Sequence, residues 1–249
     1  MKNTNPNHTQ KERALFLICL VFLGSFLLFT FFRANLHSVD VSVNLWIPSI
    51  QSTPLTILAE GIAFIFDTTS LIIFSLIIAS YLFIKNHRPQ SLLLLGAMGG
   101  DALLVAVIKN LDKIARPTNG VLFDTGFSYP SGHCAGSIVF CGILAYFAWK
   151  HWKSASSRAL IGVGVGLIVG VVGFDRLYLN VHWLSDVFGG WLFGAFWLLF
   201  AILVFRQMQK AGKFESERFR FIAKLLFVGA VVVSVFVVFL GLFGSFLFI

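Results

Sequence analysis

The chain has 249 residues, of which 57% are hydrophobic and only 12% are charged. A soluble domain of this length carries about twice that charged fraction, so the composition excludes an ordinary soluble enzyme and predicts a membrane protein. The net charge of +8 does not indicate a nucleic-acid partner, because most basic residues lie in alternate loops between apolar segments, as the positive-inside rule requires.

Seven apolar segments approach or reach the ~17–25 residues that a helix needs to cross a bilayer. They are residues 14–32, 68–84, 90–108, 132–149, 159–174, 187–205 and 225–249. The pattern predicts an all-α polytopic bundle of seven spans. We expect a cytoplasmic tail at residues 1–13, one membrane core at 14–206, and a cytoplasmic linker with an extra transmembrane helix at 207–249.

A shorter apolar segment, residues 55–66, is interrupted by Glu60 and is too short to cross a bilayer. It predicts an interfacial helix that leads into the second span. With the N-terminus in the cytoplasm, this assignment leaves only five basic residues outside. They are Arg33, Lys109, Lys113, Arg116 and Arg176.

Two features inside the predicted spans indicate packing and not chemistry. Gly162, Gly166 and Gly170 recur every four residues, which predicts close approach of a neighbouring helix. The three cysteines fall within helical spans, where they are expected to stay unpaired and pack as small apolar groups.

Three polar clusters stand out from the apolar background. They are KNLDKIARP (residues 109–117), YPSGH (129–133) and DRLYLNVHWLSD (175–186). The first two share one loop, and two predicted spans separate that loop from the third cluster. Even parity places all three clusters on the same face of the membrane, and the positive-inside rule makes that face external.

The first and third clusters contribute three cations, Lys109, Arg116 and Arg176. A guanidinium group matches the geometry of phosphate oxygens. The second cluster opens a helix, so the backbone N–H groups of residues 131–133 form a potential anion site at its positive end. Together these groups predict a phosphate site at the external membrane edge.

Two histidines add reactive groups to this predicted site. His182 and Asp186 lie four residues apart, so one helical turn can bring the carboxylate to the imidazole. A carboxylate on Nδ1–H leaves Nε2 with a free lone pair, which makes His182 a candidate nucleophile on phosphorus. His133 is then a candidate proton donor to the departing oxygen.

Three ordered motifs resemble the signature of the type 2 phosphatidic acid phosphatase (PAP2) superfamily. They are Lys109-x6-Arg116-Pro117, Pro130-Ser131-Gly132-His133 and Arg176-x5-His182-x3-Asp186. The signature covers residues 109–186, and the six-span layout of residues 14–205 is also similar. The resemblance therefore implies a six-helix core, with the seventh, C-terminal span outside it. The resemblance implies a nucleophile at His182, an acid at His133 and an orienting carboxylate at Asp186. It implies phosphate binding by Lys109, Arg116, Ser131, Gly132 and Arg176.

The resemblance also implies an activity. We expect a metal-independent phosphatase, without a cofactor, that cleaves a membrane lipid phosphate or diphosphate through a phosphohistidine. Polyprenyl diphosphate, phosphatidic acid and phosphatidylglycerol phosphate are candidate substrates, and the active site is expected on the extracytoplasmic face of the cell membrane. A phosphotransferase with a non-water acceptor and a non-catalytic lipid binder or transporter are the alternatives. The sequence leaves the oligomeric state open.

Two residues depart from the pattern or lie outside it. The third motif opens with Asp175, where the family usually has serine, and this carboxylate could either hold Arg176 in place or repel a phosphate substrate. Asp101 lies in the middle of a predicted span, where an ionisable side chain indicates function. Both a structural partnership with the Lys109 region and simple protonation within the helix are consistent with its position.

Overall fold

The computed structural model describes residues 6–122 and 124–244, and of residues 6–9 and 234–244 it describes the backbone alone. No strand occurs in these described ranges, so the predicted all-α class is confirmed. The α-helices are α1 (Pro6–Phe32), α2 (His37–Trp46), α3 (Thr53–Ile65), α4 (Thr68–Ile84), α5 (Arg88–Asp112), α6 (Gly132–His151), α7 (Ala155–Tyr178), α8 (Leu184–Lys210) and α9 (Glu217–Gly244). Short 3₁₀ helices occupy Arg33–Leu36, Ile47–Ile50 and Lys213–Glu215.

Five helical segments of the described chain are long and apolar enough to cross a membrane. They are Gln10–Ile50, Arg88–Asp112, Gly132–His151, Ala155–Tyr178 and Leu184–Lys210. A sixth candidate is α3 followed by α4, two helices bent by 50°. The predicted count of seven spans is not confirmed, because α9 is not among these candidates and residues 245–249 of the last predicted span lie outside the described residues.

The break between α3 and α4 has a local cause in the sequence. Asp67 adopts an extended backbone conformation, and its side chain accepts a hydrogen bond from the backbone N–H of Thr69 at 2.8 Å. An aspartate cap of this kind satisfies one of the free N–H groups at a helix start. The apolar segment around residues 55–66 therefore lies mainly in its own helix, α3. Because α3 and α4 together qualify as one bent span, the interfacial position of α3 stays a prediction.

Helix α8 packs against α1 and α6 and also contacts α5. Its contact with α6 depends on two glycines, because a Cβ atom at Gly190 would lie 2.6 Å from the carbonyl oxygen of Ser131. A Cβ atom at Gly194 would lie 2.8 Å from the carbonyl oxygen of Ala135. These glycines allow the backbones of α6 and α8 to approach closely, which fixes the start of α6 beside the start of α8.

The close helix contact predicted for the glycines of α7 is wrong. Among the described residues, nothing lies within 4 Å of a Cβ atom built at Gly166 or Gly170, and Gly162 meets only a ring atom of Trp149 at 3.8 Å. Large apolar residues of α7 such as Leu167 are exposed on the outside of the bundle. Gly162, Gly166 and Gly170 therefore do not mark a helix interface of the described bundle. The α7 glycine that does is Gly173, where a Cβ atom would collide with a ring atom of Trp191 in α8.

The segment between α1 and α3 anchors the third polar cluster. Asp40 accepts hydrogen bonds from the backbone N–H and the hydroxyl of Ser185, both at 2.8 Å. The side chain of Gln51 donates to the carbonyl oxygen of Tyr178 at 2.7 Å. These contacts hold α2 and the adjoining loop over the junction of α7 and α8.

The C-terminal helix α9 packs against α5 and α4. Phe227 of α9 stacks on Phe83 of α4, with ring centroids 4.3 Å apart. The cysteines Cys19, Cys134 and Cys141 are free, as predicted.

Candidate active site

The structure brings the three polar clusters together at one end of the bundle. Nη1 of Arg116 lies 3.2 Å from Nε2 of His182, which joins the first cluster to the third. Nη1 of Arg176 lies 3.2 Å from Nε2 of His133, which joins the third cluster to the second. Each imidazole therefore has a guanidinium group against its Nε2 atom.

His182 is oriented by a carboxylate and a hydroxyl. Its Nδ1 atom lies 3.3 Å from Oδ2 of Asp186 and 3.2 Å from the hydroxyl oxygen of Ser128. The same Oδ2 atom accepts hydrogen bonds from the Ser128 hydroxyl and, at 2.8 Å, from the backbone N–H of Trp183. With Nδ1–H facing the carboxylate, the lone pair of the neutral imidazole lies on Nε2.

The surroundings of His182 favour its neutral form. The residue is only 2% exposed, and burial is the main cause that lowers its pKa well below the usual value of 6.5. The positive charges of Arg116, Lys109 and Arg176 lower the pKa further. His182 therefore presents an unprotonated Nε2 atom to the site.

His133, the second residue of α6, lies between a cation and an anion. Besides Arg176, its Nε2 atom faces Oδ1 of Asp67 at 4.0 Å. Asp67 comes from the junction of α3 and α4, far from the three motifs in sequence. Its only signal in the sequence is an aspartate directly before the predicted second span, which indicates no more than a helix cap.

Asp175 holds Arg176 in place. Its Oδ2 atom accepts hydrogen bonds from Nε, at 3.0 Å, and from Nη2 of the guanidinium. Both side chains are buried, with 2% exposure each. Of the two roles open from the sequence, the geometry supports the first, since the carboxylate fixes the guanidinium with its Nη1 atom directed at His133.

Lys109 and Arg116 shape the loop that carries the second motif. Nζ of Lys109 donates to the carbonyl oxygens of Phe127, at 2.5 Å, and Ser128, at 3.3 Å. Arg116 donates to the carbonyl oxygen of Val181 at 2.8 Å and forms an ion pair with Asp124 at 2.9 Å. The two cations thus have a structural function in addition to their position at the site.

A cavity of about 660 Å³ extends from this site between α4, α5 and α6. Five of the expected site residues line one end of it, namely Lys109, Arg116, Gly132, His133 and His182. Ala230 and Val233 of α9 contribute to its wall. The C-terminal helix, for which the sequence suggests no role, therefore borders the cavity.

Three expected site residues do not line the cavity, namely Ser131, Arg176 and Asp186. Arg176 and Asp186 act on the imidazoles that do. Ser131 is fully buried, its backbone N–H donates to the carbonyl oxygen of Asp186 at 3.0 Å, and its hydroxyl has no partner among the described residues. In this geometry Ser131 joins α6 to α8, and its hydroxyl does not reach the cavity.

The sequence motifs do not include Ser128, although it contacts both His182 and Asp186. Its only signal is a hydroxyl residue directly before YPSGH, in a loop that contains other polar residues. The contact depends on the fold of that loop, so its role becomes visible only in three dimensions.

Comparison with known proteins identifies the family. The profile of the PAP2 superfamily matches residues 90–213. Phosphatidylglycerophosphatase B of Bacillus subtilis (strain 168) is 30% identical over 199 residues, which cover 77% of this chain and 97% of that protein. The chain belongs to the PAP2 superfamily.

Other similarities of this PAP2 protein agree with the assignment. A putative undecaprenyl-diphosphatase of Escherichia coli (strain K12), YbjG, is 33% identical over 81 residues, or 32% of this chain and 36% of that protein. The crystal structure of a transmembrane PAP2 type phosphatidylglycerolphosphate phosphatase from Bacillus subtilis superposes with a TM-score of 0.66 at 26% identity, covering 80% of this chain and 97% of the other.

Aquifex aeolicus LpxE superposes with a TM-score of 0.50 at 21% identity, covering 66% of this chain and 94% of the other, which shows a shared fold alone. The apolar helices and the transmembrane relative together make this PAP2 protein a multi-pass membrane protein.

Proposed function

We propose that this PAP2 protein is a lipid phosphatase that cleaves a phosphate from a membrane lipid through a phosphohistidine on Nε2 of His182. One observation carries the proposal. The neutral imidazole of His182 has Asp186 on its Nδ1 side and Arg116 at 3.2 Å from its Nε2 atom, and it opens into the same cavity as His133.

In the first step, phosphate oxygens replace the imidazole nitrogens as partners of Arg116 and Arg176. Lys109 and the backbone N–H groups at the start of α6 add positive potential. Nε2 of His182 then attacks phosphorus, the bond from phosphorus to the lipid oxygen breaks, and His133 gives its proton to that oxygen. The negative phosphate beside His133 favours the protonated imidazole that this step requires.

In the second step, water attacks the phosphohistidine. Neutral His133 takes a proton from the water, the bond between Nε2 and phosphorus breaks, and inorganic phosphate leaves. Asp186 holds the His182 ring and stabilises its positive charge while the phosphohistidine exists. Three cationic side chains supply the charge stabilisation, so the proposed reaction is independent of metal ions.

The relatives support a substrate class. The Bacillus subtilis relative and the Bacillus subtilis crystal structure are both named as phosphatases of phosphatidylglycerol phosphate, and the partial match in Escherichia coli is named a putative undecaprenyl-diphosphatase. Phosphatidylglycerol phosphate, phosphatidic acid and polyprenyl diphosphate are therefore the substrates to test. We place the phosphatase core at residues 14–206 in the cell membrane. The distribution of basic residues supports a site on the extracytoplasmic face.

The proposal is tested by phosphate release from labelled lipids in detergent. Wild-type protein should release free inorganic phosphate, and His182→Ala should release none. His87→Ala is the matched control, because His87 is exposed and precedes Lys109 by 22 residues, about 33 Å of helix rise. Transfer of the labelled phosphate to an acceptor other than water would show that the protein is a phosphotransferase and not a phosphatase. Full turnover by His182→Ala would show that His182 is not the nucleophile.

A further inference from the structure

The cavity below the histidines contains two buried polar side chains that the proposed mechanism does not use. Asp101 of α5 is 4% exposed and Ser75 of α4 is 2% exposed, and both line the cavity. Within the described part of the chain, Oδ1 of Asp101 and the hydroxyl of Ser75 have no hydrogen-bond partner. Buried polar atoms are normally paired, so these two atoms give a ligand in the cavity two polar groups to pair with.

The two side chains occupy the same depth. Helices α4 and α5 are joined by a short turn and pack against each other, so they run antiparallel. Ser75 follows Asp67 by eight residues, and Asp101 precedes Lys109 by eight residues. Both therefore lie at a similar depth below the phosphate end of the cavity. Asp101 lies beside Gly136, which follows His133 by three residues, or about 4.5 Å of rise along α6, so its carboxyl group is close enough to the histidines for an ester carbonyl of the same lipid to reach it.

Asp101 is not part of the phosphate site. It forms no ion pair with any described residue, and Lys109 donates instead to the carbonyl oxygens of Phe127 and Ser128. The partnership with the Lys109 region that the sequence allowed is therefore absent. A Cβ atom built at Gly136 would lie 3.6 Å from Oδ2 of Asp101, so the glycine leaves space beside the carboxyl group.

The rest of the wall at this depth is apolar. The lining side chains include Leu71, Leu95, Met98 and Val105. A hydrocarbon chain in this cavity would leave both polar groups buried without a partner, which disfavours binding. A lipid that carries oxygen atoms at that depth would satisfy them.

We propose that Ser75 and Asp101 form a subsite for the ester carbonyl groups of a glycerophospholipid whose phosphate lies at the histidines. The Ser75 hydroxyl donates to a carbonyl oxygen, and the Asp101 carboxyl group in its protonated form has one O–H donor of its own. The subsite rests on the proposed phosphatase activity and selects ester-linked glycerolipid phosphates over polyprenyl phosphates, whose chains contain no oxygen.

The test combines a protein change with a substrate change. Specificity constants (kcat/KM) are measured for ester-linked phosphatidic acid and its ether-linked analogue, which lacks the carbonyl groups. Wild-type protein should prefer the ester by about 25-fold, because each of the two hydrogen bonds contributes about fivefold. Asp101→Leu and Ser75→Ala should each reduce this preference. A variant that has already lost one donor has no hydrogen bond from that donor left to lose when the ester carbonyl is also removed from the lipid.

Ser70→Ala is the matched control. Ser70 is another buried serine of α4, but its hydroxyl already donates to the carbonyl oxygen of Phe64 and it does not line the cavity. This variant should keep the full ester preference. If Asp101→Leu does not fold, Ser75→Ala decides the test, since it removes a single oxygen atom.

The outcomes separate the subsite from the phosphatase proposal. Phosphate release with equal ester preference in wild type and both variants would overturn the subsite and leave the phosphatase intact. Phosphate release by wild type without any ester preference would also overturn it. Absence of phosphate release from every lipid by wild type would overturn the phosphatase, and the subsite with it.

Discussion

Nε2 of His182 and Nη1 of Arg116 lie 3.2 Å apart, although they belong to different motifs in different loops, one between α5 and α6 and the other between α7 and α8. The guanidinium group lies where a phosphate would approach the nucleophile, and the same group lowers the pKa of His182. One cation therefore serves both to attract the substrate and to keep the imidazole unprotonated.

The pH dependence of kcat/KM should reflect this pair. The neutral imidazole is the reactive form, so activity is lost as pH falls through the pKa of His182. Because burial and the neighbouring charges lower that pKa, the acid limb should lie below pH 6.5. Arg116→Gln removes one positive charge, so the limb should move to higher pH while burial still keeps it below that value.

Arg88→Gln serves as the control for this pH profile. It also removes one positive charge, but Arg88 lies at the first residue of α5, whereas the site is at the other end of that helix. With one lipid for all three proteins, ionisation of the substrate affects each profile equally. An acid limb that stays in place in Arg116→Gln would contradict the electrostatic coupling.

Ser128→Ala tests a residue that the motifs do not include. The Ser128 hydroxyl donates to Asp186 and contacts Nδ1 of His182, so its loss should leave the imidazole less well oriented. We expect kcat to fall by about 10-fold, the size of one hydrogen bond to a charged group, with a small change in KM. Ser70→Ala is again the control, and equal kcat values in Ser128→Ala and wild type would exclude this orienting role.

His133→Ala should reveal whether this imidazole protonates the leaving oxygen. Loss of a general acid should lower kcat for a lipid phosphate by about 10²–10⁴-fold. The loss should be much smaller for p-nitrophenyl phosphate, because its leaving group departs without a proton. An equal loss for both substrates would indicate that His133 binds phosphate and does not donate the proton.

Asp175→Ser restores the residue typical of the third motif. Because Asp175 holds two N–H groups of Arg176, its loss should loosen the guanidinium and raise KM by a few-fold while kcat changes little. The ranking of lipid substrates should change more than the maximal rate does. Asp175→Asn keeps one acceptor and should show an intermediate KM, and an unchanged KM and ranking in Asp175→Ser would show that Asp175 does not position Arg176.

Activity should persist in excess chelator. Three cationic side chains and the N–H groups at the start of α6 supply the charge stabilisation in the proposed mechanism. The measurement is phosphate release after dialysis against EDTA, with and without added Mg²⁺. Loss of activity in EDTA that Mg²⁺ restores would contradict metal independence.

The sequence by itself determined the helical class, the six apolar segments that form candidate spans of the described chain, and the two histidines and three cations that meet at one end of the bundle. The length of an apolar segment and the order of the motifs can be read directly from the sequence. Because each long apolar segment crosses the bilayer once, and two such segments separate the loops of His133 and His182, both histidines lie on the same face of the membrane. The prediction from the glycines of α7 was wrong because their spacing is also a local property. It gives no information about which helix, if any, lies beside them.

Only the tertiary structure decided how these residues contact one another. Ser128 reaches Asp186 through the fold of a loop, and Asp67 reaches His133 from a helix junction outside the motifs. The packing of α4, α5 and α9 also determines that Ser75 and residues of α9 line the cavity. Such contacts join residues that are distant in the chain, and their distances are set by packing of whole helices, which no local pattern encodes.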